Sequence, residues 1–203
     1  MDDNGLATLS MHKLGARLGV KAMSLYKHVA SKDDLLDGIV EQLWTEIPIE
    51  PVGGDWRAAI RALATALREM VHRHPAAAPL LTSRQTIMER PLWICHALLT
   101  VMRRDGVPEP CAVALLRSVL AYGIGFALAE LSLPEPVDDE VAQIRQFSQL
   151  LSPQAPDDLV RTAMLICSEC DMAAQFEIGI DLMIRGLDAS IDTAYAATPA
   201  ATT

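Results

Sequence analysis

Apolar side chains recur at intervals of three and four residues along most of this 203-residue chain, and this spacing constrains the fold more than any other feature. In the segment 32–47, for example, leucine, isoleucine, valine and tryptophan side chains form a stripe along one side of a helix. Apolar and polar residues do not alternate over more than a few positions, as they would in a half-buried β-strand. The sequence therefore predicts an all-α fold.

A connector rich in proline and glycine divides the chain into a small N-terminal part and a larger C-terminal part. Ser31 is a suitable N-cap for the helix at 32–47, and the connector PIEPVGGD (48–55) follows that helix. We therefore predict one helical domain over residues 1–47 and a second, larger one over residues 48–203.

The larger domain is predicted to be a succession of helices. Their ranges are 56–73, 76–82, 84–89, 91–105, 109–133, 157–169 and 171–192. The segment 134–158 contains four prolines and six acidic residues against one arginine, which favours a mobile excursion. The tail 193–203 is predicted to be disordered.

Several classes of protein are not expected from this sequence. Within the apolar run 111–133, Arg117 and Glu130 leave only 12 uncharged residues between them, whereas a membrane span needs about 18. We therefore predict a buried helix and no membrane association. Residues 1–9 do not resemble an export signal, and the four cysteines fit buried, reduced side chains in the cytoplasm. Catalytic, metal-binding and cofactor-binding patterns are lacking, so we expect neither an enzyme, nor a metal, nor a cofactor.

The segment 9–32 is basic although the whole chain has a net charge of −9. It carries five Lys or Arg and no Asp or Glu, and Gly19 separates two helical pieces at 10–18 and 21–29. Two helices joined by a short turn with glycine form a helix-turn-helix pattern, whose second helix can enter the major groove of DNA. On charge alone, an ordinary helical hairpin with a solvated basic face is an equally good interpretation.

The residue pattern favours the DNA-binding interpretation. The run LSMHKLGARLGVKAMSLYKHVASKDDLLDGI (9–39) resembles the DNA-binding domain of the tetracycline-repressor (TetR) family, through its L-G-V turn, its S-L-Y-x-H-V helix and its K-x-x-L-L-D opening. FEIGIDLMIRGLD (176–188) resembles the ligand-binding half of the tetracycline repressor subgroup. The resemblance implies a transcriptional repressor that binds a palindromic double-stranded DNA operator as a homodimer and responds to a small molecule.

Carried over by position, the resemblance implies DNA contacts from both helices of the motif and from the start of the next helix. These residues are Ser10, His12, Lys13, Lys21, Ala22, Met23, Ser24, Tyr26, Lys27, His28 and Lys32. Ala22, Met23 and Lys27 differ from the tetracycline repressor, so a different operator is expected.

The family's DNA-binding domain begins with a further helix, and here only MDDN precedes Gly5. We therefore expect that helix to be missing from this sequence. Either the true start codon lies upstream, or DNA binding is impaired. The alternative to a repressor is thus a dimeric small-molecule-binding module whose DNA binding is impaired or lost.

A ligand pocket is predicted between the helices at 56–73, 91–105 and 109–133. Its expected residues are Leu63, Leu67, Arg84, Trp93, His96, Leu99, Met102, Leu120 and Ile124. Glu130 matches an acidic position that the resemblance associates with magnesium–tetracycline, but the expected histidine is replaced by P-L-L at 79–81. We therefore expect a lipophilic effector other than magnesium–tetracycline.

The dimer interface is predicted to be a four-helix bundle, to which each subunit contributes the helices at 109–133 and 171–192. Small residues on the first helix allow close approach, and apolar residues on the last supply the contact. The expected interface residues are Ala121, Gly125, Leu128, Ile178, Leu182 and Ile191.

Overall fold

A computed structural model describes residues 9–48, 54–84, 88–132, 151–152, 154–167 and 171–196. All regular secondary structure in these ranges is helical, so the all-α prediction is confirmed. The helices are α1 (Met11–Leu18), α2 (Ala22–Leu25), α3 (Lys32–Thr45), α4 (Trp56–Arg73), α5 (Leu80–Ser83), α6 (Glu89–Arg104), α7 (Glu109–Glu130), α8 (Asp157–Cys167) and α9 (Met172–Ala196).

The first two helices adopt the predicted helix-turn-helix arrangement. The Ser10 side chain accepts a hydrogen bond from the backbone N–H of Lys13 (3.2 Å) and caps α1. Gly19 ends α1 in the left-handed region, with φ of 68°. Helix α2 is shorter than predicted, because the amides of Lys27 and His28 bond to carbonyls three residues earlier and form a tight turn.

Helix α3 connects this motif to the rest of the molecule. Ser31 caps α3 as predicted, accepting a hydrogen bond from the amide of Asp34 at 3.0 Å. Asp55 caps α4 in the same way, accepting from the amide of Arg57 at 3.0 Å. The C-terminal half of α3 is buried in the same core as α4. Its core residues are Val40, Leu43 and Trp44, followed by Ile47. The boundary predicted after residue 47 therefore separates two parts that share one core.

The centre of the core is the contact between α4 and α7. Gly123 allows this contact, because a Cβ at that position would lie 3.0 Å from Leu67 Cβ and 3.2 Å from the Ala64 carbonyl oxygen. Helices α6 and α9 pack on α7 as well. The side chains buried among these helices include Ile60, Leu67, Met70, Met102, Val119, Phe176 and Ile180.

Helix α7 is long and apolar enough to span a membrane, as judged by its length and composition. Inside the chain it packs on three other helices, and 39% of its most apolar window is buried there. Packing in the core accounts for the buried side of α7, while its exposed positions combine small residues such as Ala121 and Gly125 with Arg117 and Ser118.

Some predicted boundaries differ from the structure. The helix predicted at 76–82 is reduced to α5, because the residues before Leu80 form successive turns. Helix α9 reaches Ala196, so the first four residues of the tail predicted to be disordered are helical. Most of the predicted mobile segment (residues 134–150 and 153) and the rest of the tail lie outside the described residues.

Candidate functional site

The basic residues of the helix-turn-helix motif are exposed. His12, Lys13, Lys21, Lys27 and Lys32 are all exposed. Within the part of the chain that the structure describes, none of these four lysines forms an ion pair. Their ammonium groups are therefore available for phosphate contacts.

The side chains predicted to read bases fall into two groups. Met23, Tyr26 and His28 are exposed, whereas Ala22 and Ser24 are half-buried. The half-buried Ser10 uses a lone pair in the α1 cap and keeps its O–H available as a donor. Met23, Tyr26 and His28 are thus accessible from outside the subunit, and Ala22 and Ser24 are partly covered.

The two helices of the motif meet at Gly15. A Cβ at Gly15 would lie 2.8 Å from the Val20 carbonyl oxygen and 3.1 Å from the Ala22 nitrogen. The backbones of the two helices therefore approach each other closely at Gly15. Leu18 and Val20 are 60% and 42% exposed, so neither side chain is buried between the two helices.

Arg84, a residue predicted for the ligand pocket, instead binds α3. Its Nε donates to Asp37 Oδ1 at 2.6 Å, and its Nη1 donates to Asp33 Oδ1 at 2.9 Å. The hydrogen bond to Asp37, followed by that to Asp33, raises the pKa of the guanidinium. Arg84, which directly follows α5, thus connects this part of the chain to α3, the helix that follows the helix-turn-helix motif.

A second polar junction holds the C-terminal end of α3. Glu46 accepts hydrogen bonds from Arg73 and, at 2.8 Å, from His74 Nε2. Arg90 of α6 donates to the carbonyl oxygen of Ile47 at 3.0 Å. Side chains from α4, α5 and α6 therefore all contribute to the orientation of α3.

The nine residues predicted for the ligand pocket differ in their burial. Leu63, Leu67, Met102 and Ile124 are buried in the core. On α6, Ile94, Leu98, Val101 and Met102 are the buried residues, which turns Trp93 and His96 outward. Trp93 is 58% exposed and meets the His96 ring edge-on, with centroids 5.7 Å apart. Leu99 and Leu120 are half-buried.

An open cleft of about 400 Å³ lies elsewhere, along the C-terminal part of α4. Its lining residues are Arg68, Glu69, His72 and Arg73. Arg68 donates to both oxygens of Glu130 on α7, at 2.8 and 2.6 Å, and His72 Nε2 lies 2.7 Å from Glu130 Oε2. Sequence reasoning missed Arg68 and His72, although their i, i+4 spacing places them on one face of α4.

The carboxyl group of Glu130 is ionised by these partners. Its side chain is 7% exposed, and burial by itself favours the neutral form. The hydrogen bonds from Arg68 and His72 outweigh burial and hold the pKa of Glu130 below its ordinary value. The glutamate is therefore a negative charge committed to two partners on α4.

An aromatic cluster extends this network to α9. Tyr122 stacks on Phe176 with centroids 5.2 Å apart, and its hydroxyl donates to the Phe176 carbonyl oxygen at 3.1 Å. The Arg68 guanidinium lies 5.1 Å from the centroid of the Phe176 ring. A Cβ at Gly179 would overlap the Tyr122 hydroxyl, so this glycine serves the contact inside the chain. Arg68 thus links α4 to both α7 and α9.

Replacing Glu130 by glutamine is expected to destabilise the fold in a pH-dependent way. At pH 7 we expect a loss of about 2–3 kcal/mol in the free energy of unfolding, because Arg68 loses its counter-charge in a partly buried position. The lowered pKa means that the contribution of Glu130 is complete above its ordinary value of 4.5 and is lost as the pH falls through the folded-state pKa. The difference from wild type should therefore shrink in acid, as measured by urea unfolding at several pH values.

Glu109→Gln is the matched control for this measurement. Glu109 pairs with Arg103 at 3.5 Å, and both side chains are largely exposed. Its loss should change the unfolding free energy by less than about 0.5 kcal/mol. A Glu130→Gln effect of equal size at pH 7 and in acid would contradict the ion-pair explanation.

Most of the residues predicted for the dimer interface are exposed in the subunit. Ala121 and Gly125 on α7 and Ile178 and Leu182 on α9 are exposed. Leu128 and Ile191 are half-buried. These helices therefore present small and apolar side chains toward the outside of the subunit.

Three comparisons with known proteins place this chain among relatives. Residues 47–191 match the family model "Tetracyclin repressor-like, C-terminal domain". The HTH-type transcriptional repressor DrrR1 of Streptomyces coeruleorubidus is 32% identical over 132 residues, which are 64% of this chain and 49% of that protein. This chain thus matches about half the length of DrrR1.

Two further similarities cover nearly the whole chain. An HTH-type transcriptional regulator of Saccharopolyspora erythraea is 29% identical over 94% of this chain and 80% of that protein. The crystal structure of the Streptomyces coelicolor TetR family protein ActR in complex with actinorhodin has a TM-score of 0.74 and 26% identity, and the match covers 93% and 91% of the two chains. Since the relatives named here are transcriptional regulators and not enzymes, and since the family model covers more than half of the chain, this protein belongs to the TetR family of transcriptional regulators.

Proposed function

We propose that this protein is a cytoplasmic, ligand-responsive repressor that binds a palindromic operator as a homodimer and is released by a lipophilic small molecule. The observation that carries the proposal is the exposed surface of α1 and α2, which is basic, free of acidic residues and connected through α3 to the helical body. Such a surface can approach the phosphate backbone without repulsion.

The exposed apolar residues on α7 and α9 support the homodimer. Monomeric soluble proteins rarely leave a large contiguous apolar patch uncovered. A second copy would cover it with the same residues from its own α7 and α9, as twofold symmetry requires. Two motifs would then meet two half-sites about one helical turn apart.

A lipophilic effector is supported by the nature of the helical body and by a relative. Helices α4, α6 and α7 contribute mostly apolar side chains, which suit a ligand with few polar groups. ActR, which shares the fold at 26% identity, binds actinorhodin. A ligand that binds the DNA-incompetent state better than the competent one would release the operator.

Selection from random duplex DNA tests the proposal directly. The full chain should enrich a palindrome whose half-site centres are about 10 base pairs apart. Enrichment of no sequence by a stable dimer would favour the alternative, a small-molecule-binding module without DNA binding. The uncovered apolar side chains of Leu18 and Val20 keep this alternative open.

If Lys27 contacts a phosphate, Lys27→Ala should weaken binding to the selected operator by about tenfold. Binding to mismatched sites should weaken by a similar factor. The salt dependence of binding should also decrease by about one ion. Fluorescence anisotropy at several salt concentrations measures both effects. Lys27 would be a base-reading residue instead if the loss were confined to particular operator positions.

A further inference from the structure

Met23 is the most exposed of the large apolar side chains in the helix-turn-helix motif. It is 74% exposed, whereas Leu18, Tyr26 and Val20 are 60%, 46% and 42% exposed. Met23 is the second residue of α2, the helix that enters the major groove under the proposed function. The N-terminal residues of such a helix are the ones that contact base edges. An exposed apolar side chain therefore occupies a position from which bases are read in this class of motif.

The thioether of Met23 forms no strong hydrogen bond with a base edge, because its sulfur is a weak acceptor and the side chain has no donor. The other exposed residues of the segment 21–28 all carry hydrogen-bond donors. They are Lys21, Tyr26, Lys27 and His28. If Met23 covered a polar base edge, that edge would lose its hydrogen bonds to water without replacement, which costs free energy. A favourable base contact of Met23 therefore requires an apolar group on the DNA.

The major groove presents one such group, the C5 methyl group of thymine. Cytosine lacks this methyl group and presents an amino donor instead. A methionine side chain is unbranched and flexible and has a polarizable sulfur, so it adapts its shape to a small apolar partner. Ala22, the other apolar residue at the start of α2, is half-buried and extends only to its Cβ. Met23 therefore reaches further from the motif than Ala22 does.

We propose that Met23 reads the C5 methyl group of a thymine in each half-site of the operator. The inference rests on the proposed function, since it names the chemical group that one residue of the DNA-binding surface recognises. A twofold dimer carries Met23 twice, so the contact is made once in each half-site. The selected operator should accordingly contain thymine at one pair of symmetric positions.

Deoxyuridine in place of thymidine tests this inference, because uracil lacks the methyl group and keeps every hydrogen-bonding group of thymine. Duplexes of the selected operator are made with deoxyuridine at one symmetric pair of thymine positions at a time. Fluorescence anisotropy gives the dissociation constant of the full chain for each duplex. At the pair that Met23 contacts, binding should weaken by about 15-fold, which is about fourfold for each methyl group that no longer contacts an apolar side chain.

Substitutions of Met23 identify the side chain that reads the methyl group. Met23→Gln keeps the length of the side chain but ends in an amide, so deoxyuridine at the same positions should change its affinity by less than about twofold. Met23→Leu keeps an apolar end and should retain most of the wild-type response. Leu18→Ala shortens another exposed apolar side chain of the motif and is the control, which should respond like wild type. Each variant is compared with itself on the two duplexes, so changes in stability or overall affinity cancel.

5-Methylcytosine provides the reverse test, since it adds the same methyl group to a different base. With a C·G pair at the same two positions, methylation of both cytosines should strengthen wild-type binding by about 15-fold. Met23→Gln should bind the methylated and unmethylated duplexes equally. Equal binding of the two duplexes by the wild-type chain would contradict the inference.

The response of Met23→Gln to deoxyuridine decides between side chains. An undiminished response would overturn the inference, because another residue would then contact the methyl group. An operator whose affinity is unchanged by deoxyuridine at every pair of positions would overturn it too, but would leave the proposed function intact, since the operator is still bound. A chain that selects no operator would overturn both.

Discussion

Leu182→Glu is expected to convert the proposed homodimer into a monomer. Leu182 is 67% exposed in the isolated subunit, on the outer side of α9. In an isologous interface the substitution occurs twice, so the loss of two buried leucines costs about 3–6 kcal/mol before the carboxylates are counted. The dimer dissociation constant should therefore rise by at least about a hundredfold. Sedimentation velocity over a range of concentrations measures it.

The same variant should lose operator binding through loss of the second motif rather than through damage to the first. A monomer binds only one half-site, so it loses the increase in affinity that comes from linking two half-site contacts. Leu92→Glu is the matched control, since Leu92 is also exposed but lies on α6. It should remain a dimer and bind DNA like wild type. A dimer of unchanged affinity in Leu182→Glu would exclude this face as the interface.

The sequence was most informative where structure depends on nearby residues. The caps at Ser31 and Asp55, the left-handed turn at Gly19 and the extents of α4 and α7 follow from local hydrogen bonds and helical periodicity. The helix-turn-helix motif is equally local, because its residues lie within one short segment of the sequence. Prediction from the sequence was therefore sufficient for these elements.

Sequence reasoning failed where a side chain depends on a distant partner. Arg84 binds carboxylates 47 and 51 residues away, and Arg68 binds Glu130 across 62 residues. Periodicity predicts that a helix has a buried face but does not predict which neighbour covers it. The sequence, for example, does not show that Ile94 and Leu98 form the buried face of α6 while Trp93 and His96 are exposed. Packing of the whole chain decides such contacts.

Gly15→Val is expected to weaken sequence-specific DNA binding while leaving the proposed homodimer intact. The new Cβ would lie 2.8 Å from the backbone oxygen of Val20 and 3.1 Å from the backbone nitrogen of Ala22. Helix α2 must therefore move relative to α1. Overpacking of this kind costs about 1–3 kcal/mol. If binding requires the original geometry, the operator affinity should fall by about ten- to a hundredfold. Anisotropy titrations and sedimentation velocity measure the two properties separately.

Gly38→Val distinguishes this steric effect from a general response to valine in the motif. Gly38 lies in α3, and a Cβ added there would meet open space, with no described atom of a neighbouring residue within 4 Å. Valine and glycine differ by only about 0.3–0.5 kcal/mol in helix propensity, so stability and operator affinity should stay close to wild type. Equal losses of DNA binding in the two variants would show that the close approach of α1 and α2 at Gly15 is not what positions the recognition helix. A loss confined to Gly15→Val would assign that role to the backbone contact, because the two substitutions add the same atoms and differ only in what those atoms meet.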